Sequence, residues 1–374
     1  MGDLYPRWVG TRELLIHGRN PYSPEVSHEI LGRVVIQDET SGRVVDEQRF
    51  VYPIYVVFLM APTIYMDFSK VQFWAPFVLG AFAVVTVLCS MAILDWHVPW
   101  PTGVTLILFT VSSPQIVQGM RHQQLALVVA CLLTAGAWLV HKGHLGTAGV
   151  LLAFSTIKPQ MALLPLIWFL LWGAGEWRTR WRLFVGFGAT LMLLIGGGEL
   201  LVAGWLWDFF AAIAAYRRYF PTSSLPRLLL GDGIGIALSC IIVIWLLVFG
   251  WKHRKVNCDS WEFAWVFSAF LMGTLLAFPL FTPFNQALLI LPATLLVREW
   301  KAIPRLGRIV FITFVSWPWV TSIAILLLRP PLNPASQLPV LPALASSAVP
   351  LLLPVLLFMR QTTGKALVGA EEST

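Results

Sequence analysis

The sequence predicts an all-α polytopic membrane protein. Hydrophobic residues make up 57% of the 374 residues and charged residues only 12%, whereas a soluble domain has about a quarter charged residues. Apolar runs follow one another from about residue 70, cut by short polar breaks, and a run of about 20 apolar residues can span a bilayer. The net charge of +7 therefore indicates basic loops on one membrane face rather than nucleic-acid binding.

Eleven apolar segments make up the predicted bundle, a transmembrane domain over residues 71–374 that follows an outer region over residues 1–70. These segments are 71–94, 101–118, 124–141, 145–157, 160–173, 182–204, 233–251, 260–280, 286–297, 308–328 and 337–359. The pair at 145–157 and 160–173 is either two half-depth helices or one broken span. Only the first alternative gathers most loop lysines and arginines on one face, so that this face and the C-terminus are cytoplasmic.

Residues 1–70 form a large outer loop in this topology. Val51–Met66 contains Pro53, Pro62 and three tyrosines, and this composition predicts a helix that lies at the membrane interface. A chain that starts outside is hard to insert without a preceding helix. We therefore expect a first helix that is missing from this sequence.

Asp3 is the candidate catalytic residue of the outer region. It lies in a short run that also contains Tyr5, Arg7 and Trp8. A carboxylate at the membrane edge, with arginines nearby, can act as general base on a hydroxyl. The simpler alternative is a solvated acidic residue near a chain terminus.

Lys158 is the candidate phosphate ligand. It interrupts a long apolar stretch and is followed by Pro159, which breaks the helix and frees backbone carbonyls. A fixed cation at the outer mouth of two half-helices suits a phosphate or pyrophosphate head group. The alternative is a lysine whose ammonium reaches the interface from a kinked helix.

Two further basic groups lie in the predicted outer-face loops. Arg217 and Arg218, flanked by tyrosines, fit either the phosphate of a lipid ligand or the head groups of bulk phospholipid. Arg121 starts a run of four hydrogen-bonding side chains that either binds a phosphate and sugar or forms an interhelical turn. The other three members of that run are His122, Gln123 and Gln124.

Three more polar residues are candidates for sugar or acceptor binding. Asn285 and Gln286 follow an aromatic run and can hydrogen-bond a polar ligand. Glu199 is a carboxylate near the outer end of an apolar helix, a functional candidate unless it is protonated or exposed. The sequence has no zinc-ligand spacing, Walker loop or dinucleotide fingerprint, so we expect neither a metal nor a cofactor.

The order of several motifs resembles a known family. The acidic residue of the outer loop precedes the run Gly18-Arg19-Asn20-Pro21-Tyr22, then the run Phe50-Val51-Tyr52-Pro53, and finally Ile157-Lys158-Pro159 before a basic turn. Over roughly residues 1–300 this order is similar to the family-87 polyprenol-phosphate-dependent glycosyltransferases of the GT-C superfamily, which include bacterial mannosyltransferases.

The resemblance implies a plasma-membrane enzyme with a GT-C-like helix bundle. Such an enzyme transfers a hexose, such as mannose, from a polyprenyl-phosphate donor to a hydroxyl of a lipid or glycan acceptor on the outer face, with inversion. Asp3 matches the expected base, Lys158 the Lys-Pro position and Gln123, approximately, a Gly-Gln motif. His122 replaces the usual glycine of that motif, and residues 281–286 lack the Trp and His often found there.

A non-enzymatic transporter or flippase for the same lipid-linked sugar is the alternative. It would use the same outer-face cations but would need no base. A transporter should also have a polar path through the bilayer, and the apolar segments here are almost free of charge. An inactive, truncated gene product is a third alternative. The glycosyltransferase is the favoured interpretation.

Overall fold

The computed structural model describes residues 2–34, 36–37, 44–46, 49–219, 223–279 and 282–328. Helices dominate these residues, and the predicted all-α class is confirmed apart from one antiparallel ladder between β1 (Ile36–Gln37) and β2 (Val44–Asp46). The helices are α1 (Tyr5–His17), α2 (Pro24–Val34), α3 (Val56–Met60), α4 (Phe68–Ile93), α5 (Trp100–Ser112), α6 (Pro114–Arg121), α7 (Ala126–His141), α8 (Leu145–Phe154), α9 (Pro159–Gly175), α10 (Trp177–Leu201), α11 (Trp205–Tyr219), α12 (Leu225–His253), α13 (Trp261–Ala277), α14 (Ile290–Arg298) and α15 (Arg305–Leu328). Short 3₁₀ segments lie at Ala61–Thr63, Ser155–Ile157, Pro283–Leu289 and Trp300–Ala302.

Several helices are long and apolar enough to make this a multi-pass membrane protein. Among the described residues, α4, α10, α12 and α15 qualify individually, and α6 with α7 would make a fifth span bent by 118°. The helices α5, α9 and α13, and α8 with its 3₁₀ turn, are apolar but shorter. The predicted number of eleven spans is therefore not confirmed. The predicted helix at 337–359 and the C-terminal tail lie outside the described residues.

The predicted single helix over 101–118 is wrong. The helix α5 ends at Ser112 and α6 begins at Pro114, because Ser113 between them has extended backbone (φ −60°, ψ 141°). A residue before proline is disfavoured in the helical conformation, since the proline ring clashes with its backbone. The short α6 then leads into the polar turn that precedes α7.

The outer region is more helical than predicted. The helix α1 has Pro6 in its first turn, where a missing amide hydrogen costs nothing, and it ends at Gly18 in the left-handed conformation (φ 66°). The interfacial helix predicted over 51–66 is wrong in extent. Its α-helical part, α3, covers only five residues, and a 3₁₀ turn that contains Pro62 follows it.

Two differences occur in the second half of the chain. The helix α11 occupies residues 205–219, for which the sequence predicts no helix, because Asp208 and Arg217 interrupt its apolar pattern. The helix α12 begins at Leu225, earlier than the predicted 233, and it contains a kink at Gly231 (φ 77°). Glycine tolerates this backbone conformation without a Cβ clash.

Close packing fixes the hairpin of α8 and α9. Gly186 of α10 lies directly against the backbone of Gly146 in α8, where a Cβ atom would clash, and small residues of this kind let membrane helices approach closely. On the other side, Trp168 of α9 stacks on Phe270 of α13 with ring centroids 5.7 Å apart. The break between α8 and α9, which carries Lys158, is thereby held in the protein interior.

Candidate active site

Lys158 is buried at the break between the two half-helices. Its backbone is not helical (φ −129°, ψ 78°), and the residue is only 5% exposed. The Nζ atom donates a hydrogen bond of 2.8 Å to Oδ1 of Asn285 and lies 5.1 Å from the ring centre of Phe284. The side chain therefore does not extend to the surface, as the alternative of a snorkelling lysine requires.

Asp3 is held by the turn between α6 and α7. Its backbone N–H donates to the carbonyl of His122 at 3.1 Å, and the Nε2 of Gln124 donates to Oδ2 of Asp3. Gln123 between them has a left-handed backbone (φ 55°), which reverses the chain. The predicted cluster at this turn thus holds the carboxylate of Asp3 through the Gln124 side chain and its backbone through the His122 carbonyl.

Gln123 itself anchors the turn rather than facing outwards. It is 2% exposed, and its Nε2 donates to the carbonyl of Gln72 in α4 at 3.1 Å. Gly2 lies against this side chain so closely that a Cβ atom at Gly2 would come within 2.5 Å of its Oε1. A larger residue at this position would force the Gln123 side chain to move.

Arg7 is a site residue that the sequence interpretation did not assign. It is 5% exposed, its Nη2 donates to the hydroxyl of Tyr52 at 2.6 Å, and its guanidinium lies 4.1 Å from the centre of the same ring. Within the described residues, Nε and Nη1 of Arg7 have no hydrogen-bond partner. Since buried donors are normally paired, this guanidinium has hydrogen-bonding capacity left for an anion.

Arg7, Lys158 and Asp3 form one electrostatic group. Arg7 repels the Lys158 ammonium and Asp3 attracts it, and both Arg7 and Asp3 also act on Tyr52. Two buried basic side chains, Arg7 and Lys158, thus interact with one carboxylate, that of Asp3. Because a buried charge is costly without a counter-charge, this arrangement is suited to a bound anion.

Tyr52 is held so that its hydroxyl can donate to a ligand. Desolvation raises the pKa of Tyr52 above its usual value, so the phenol keeps its proton at neutral pH. The hydroxyl oxygen accepts from Arg7, which leaves the hydroxyl hydrogen available. Tyr52 is in turn positioned by Tyr22, whose hydroxyl donates to the Tyr52 carbonyl at 2.5 Å.

The run Gly18–Tyr22 helps to hold Tyr52 in position. The side chain of Asn20 accepts from the backbone N–H of Tyr22 at 3.0 Å and donates to Asp208 of α11 at 2.7 Å. Burial raises the pKa of Tyr22 well above its usual range, so it remains a donor to Tyr52. This motif, which carried part of the family resemblance, connects α11 to the residue that contacts Arg7.

The remaining candidates divide into two groups. Asn285 binds Lys158, and Gln286, also buried, accepts from Gln115 of α6 at 3.3 Å. In contrast, Arg121 and Arg217 are exposed, and no contact joins either of them to Lys158 in the part of the chain that the structure describes. The side chain of Arg218 lies outside the described atoms.

Glu199 is separate from this group. It is exposed, and its Oε1 accepts from the backbone N–H of Gly204 at 2.7 Å. It therefore closes the turn between α10 and α11. No contact links it to Asp3 among the described residues.

Comparison with known proteins decides the family. The family model described as glycosyltransferase family 87 matches residues 50–283, which is more than half of the chain. The chain belongs to glycosyltransferase family 87. The resemblance found in the sequence is thus confirmed. No curated protein and no solved structure matches this chain.

The matched range includes only some of the site residues of this family-87 glycosyltransferase. Tyr52 and Lys158 lie inside the matched range, whereas Asp3, Arg7 and Asn285 lie outside it. One signal in the sequence points to Arg7: it is a cation in the short run that follows Asp3, in the first turn of α1.

Proposed function

We propose that this family-87 glycosyltransferase moves a hexose from a polyprenyl-phosphate donor to an acceptor hydroxyl on the outer face of the plasma membrane, with inversion. The observation that carries the proposal is the buried pair of Arg7 and Lys158 beside a single carboxylate, Asp3. A phosphodiester or phosphate group is the anion that such a pair suits, because guanidinium and ammonium groups both donate strong hydrogen bonds to phosphate oxygens.

Asp3 is the proposed general base. Its carboxylate would take the proton of the acceptor hydroxyl while that oxygen forms a bond to the anomeric carbon of the donor sugar. On the opposite side, the bond between the anomeric carbon and the phosphate oxygen breaks, and polyprenyl phosphate leaves with the electron pair. One displacement of this kind inverts the anomeric configuration.

The leaving phosphate needs charge stabilisation rather than a proton. Lys158 is fixed by Asn285, and Arg7 by the ring and hydroxyl of Tyr52. Donors held in place before the reaction stabilise developing charge without reorganising, which is the most effective way to lower such a barrier. Arg217, Arg218 and Arg121 are proposed to act at most at the edge of the site, where they would attract the anionic lipid.

The membrane arrangement is part of the same proposal. The eleven crossings, the outer-face site and the cytoplasmic C-terminus are supported by the distribution of basic loops. The GT-C-like architecture is supported by the order of the motifs that carry the family resemblance. On the face opposite to the proposed site, Arg180 donates to the carbonyls of Trp172 and Arg254, which ties together two of these loops.

The proposal is tested by transfer assays with the full chain in membranes. Radiolabelled polyprenyl-phosphate-mannose and -glucose are supplied as donors, and the product is isolated and its anomeric configuration determined. We expect transfer from at least one donor, with inversion, and loss of transfer in Lys158→Met. Movement of the donor across the bilayer without any transfer would favour the transporter instead.

A further inference from the structure

A concave feature lies between α1, which directly follows Asp3 in the chain, and the start of α4. It is an open groove with a volume of about 390 Å³, within the range of roughly 300–1,000 Å³ that is usual for ligand sites. One side of the groove is aromatic, and the other is polar. Its lining residues are Tyr5, Trp8, Val9, Arg12, Glu13, Glu29, Asp67, Phe68, Ser69 and Gln72.

The aromatic side is a rigid cluster. The ring centres of Tyr5 and Phe68 lie 4.9 Å apart, and those of Trp8 and Phe68 lie 5.3 Å apart. The indole N–H of Trp8 donates to the carbonyl of Thr63 at 3.1 Å, so that its orientation is fixed. Tyr5 and Trp8 are 3% and 6% exposed, whereas Phe68 is half-buried. The Phe68 ring, backed by the other two, therefore offers the apolar surface against which the C–H face of a sugar ring can pack.

The polar side offers free hydrogen-bonding groups. Ser69 and Gln72 are exposed, and neither side chain has an intramolecular partner among the described residues. Asp67 is 77% exposed at its side chain, with Lys70 3.5 Å away. Hydroxyl, amide and carboxylate groups match the rim of hydroxyls on a sugar, which both donates and accepts hydrogen bonds.

The charged side chains around the groove balance one another. Glu13 and Glu29 both pair with Arg19, and Asp67 pairs with Lys70. The Arg12 guanidinium lies over the Trp8 ring, 5.3 Å from its centre. Because these cations are engaged by carboxylates or by an aromatic ring, the groove favours a neutral ligand that donates and accepts hydrogen bonds over a phosphate.

The groove is adjacent to the proposed base. Tyr5 and Trp8 lie on α1, which directly follows Asp3. The backbone carbonyl of Gln72 accepts from the side chain of Gln123 at 3.1 Å, and Gln123 is next to Gln124, which holds Asp3. We propose that this groove binds the sugar of the acceptor, a neutral glycan whose reacting hydroxyl is delivered to Asp3. The inference rests on the proposed function, because it assigns the second substrate of the same site.

Direct binding tests this assignment without requiring transfer. The full chain in nanodiscs is titrated with methyl hexosides and with octyl hexosides, each as the α-mannoside, α-glucoside, β-glucoside and β-galactoside. The test variant is Ser69→Ala with Gln72→Ala, and the matched control is Thr179→Ala with Asn257→Ala, an exposed hydroxyl and amide outside the groove. We expect at least one hexoside to bind and the test variant to weaken it about 10-fold, as loss of two neutral hydrogen bonds predicts.

The arms of the experiment separate the sources of the sugar and the two proposals. Weakening with methyl hexosides supports a groove for a glycan headgroup alone, and weakening only with octyl hexosides supports one for a lipid-anchored glycan. Absence of binding by every hexoside, or equal binding by the test variant and the wild type, overturns the assignment. The two proposals can also fail separately. If hexosides bind and the groove variant weakens them, but no polyprenyl-phosphate donor supports transfer, the proposed transferase reaction is contradicted and the sugar site is not.

Discussion

The ammonium of Lys158 donates a 2.8 Å hydrogen bond to Oδ1 of Asn285, across 127 positions of sequence. This bond joins the break between α8 and α9 to the 3₁₀ segment before α14. Asn285 is held in turn by its own Nδ2, which donates to the hydroxyl of Thr282 at 2.6 Å. The cation proposed to bind the donor phosphate is therefore positioned by residues from a distant part of the chain.

Replacing Asn285 should weaken the use of the donor. Asn285→Ala removes the acceptor that orients Lys158, and a hydrogen bond to a charged group contributes roughly 1.5–3 kcal/mol. We expect kcat/KM for the donor to fall by about 10-fold or more. Asn285→Asp should be at least as harmful, because a carboxylate would neutralise the ammonium. Steady-state transfer kinetics check this, with Asn257→Ala, at an exposed site, as the unchanged control; normal kinetics in both Asn285 variants would contradict it.

Arg7 should matter for the chemical step. Arg7→Gln removes a buried cation aimed at the site, and removing one preorganised donor from a developing charge costs about 100-fold or more in kcat. Arg7→Lys should recover only part of this loss, since lysine lacks the planar fork that contacts the Tyr52 ring and hydroxyl. The measurement is single-turnover transfer, with Arg178→Gln as the control at an exposed arginine. Full activity in Arg7→Gln would remove it from the site.

Gln124 is proposed as a positioning residue for Asp3. Gln124→Leu removes the N–H donor that holds the carboxylate, and misplacement of a reacting group lowers kcat by between about 10- and 100-fold. The KM values for donor and acceptor should stay unchanged, since Gln124 is buried and its amide donates to Asp3, which favours the turn over the ligand-binding alternative for this residue. A merely structural role would instead lower the yield of folded protein and move all kinetic parameters together. A rise in KM without a fall in kcat would contradict the assignment.

The stability of the outer region should fall at alkaline pH. Burial raises the pKa of Tyr55 to about 12, against about 10 in an unfolded chain. Since the folded state holds this proton more tightly, the contribution is complete below pH 10 and is lost as the pH rises towards 12. Unfolding midpoints in SDS from pH 9 to 12 should therefore decline less steeply in Tyr55→Phe. Tyr65→Phe, at an exposed tyrosine, should leave the slope of the wild type; equal slopes in all three proteins would contradict the prediction.

The sequence predicted the start of a helix correctly where an apolar run follows a charged or proline-containing break. The helix α9 begins at Pro159 and α13 begins at Trp261, each within one residue of the predicted start. The break before Pro114 has the same physical cause as the break before Pro159. It was not predicted, because no charged residue marks it.

The sequence pointed most clearly to the residues of the site that are unusual in their surroundings. Lys158 stands out because a cation in an apolar stretch is costly, and Asp3 because of its position in the outer region. The bond of Lys158 to Asn285 and that of Arg7 to Tyr52 join segments far apart in the chain, which local patterns do not encode. Glu199 carried the same kind of local signal as Lys158, but the structure places it at an exposed turn.

The most direct test of the account is transfer from its polyprenyl-phosphate donor by Asp3→Asn, compared with wild type and with Asp232→Asn. Asp232 is an exposed carboxylate paired with Arg227, so its variant controls for loss of a negative charge. We predict that Asp3→Asn binds donor and acceptor normally but loses kcat by about 100-fold or more, as removal of a general base does. Transfer by Asp3→Asn at the rate of the wild type would contradict the assignment of the base and, with it, the proposed mechanism.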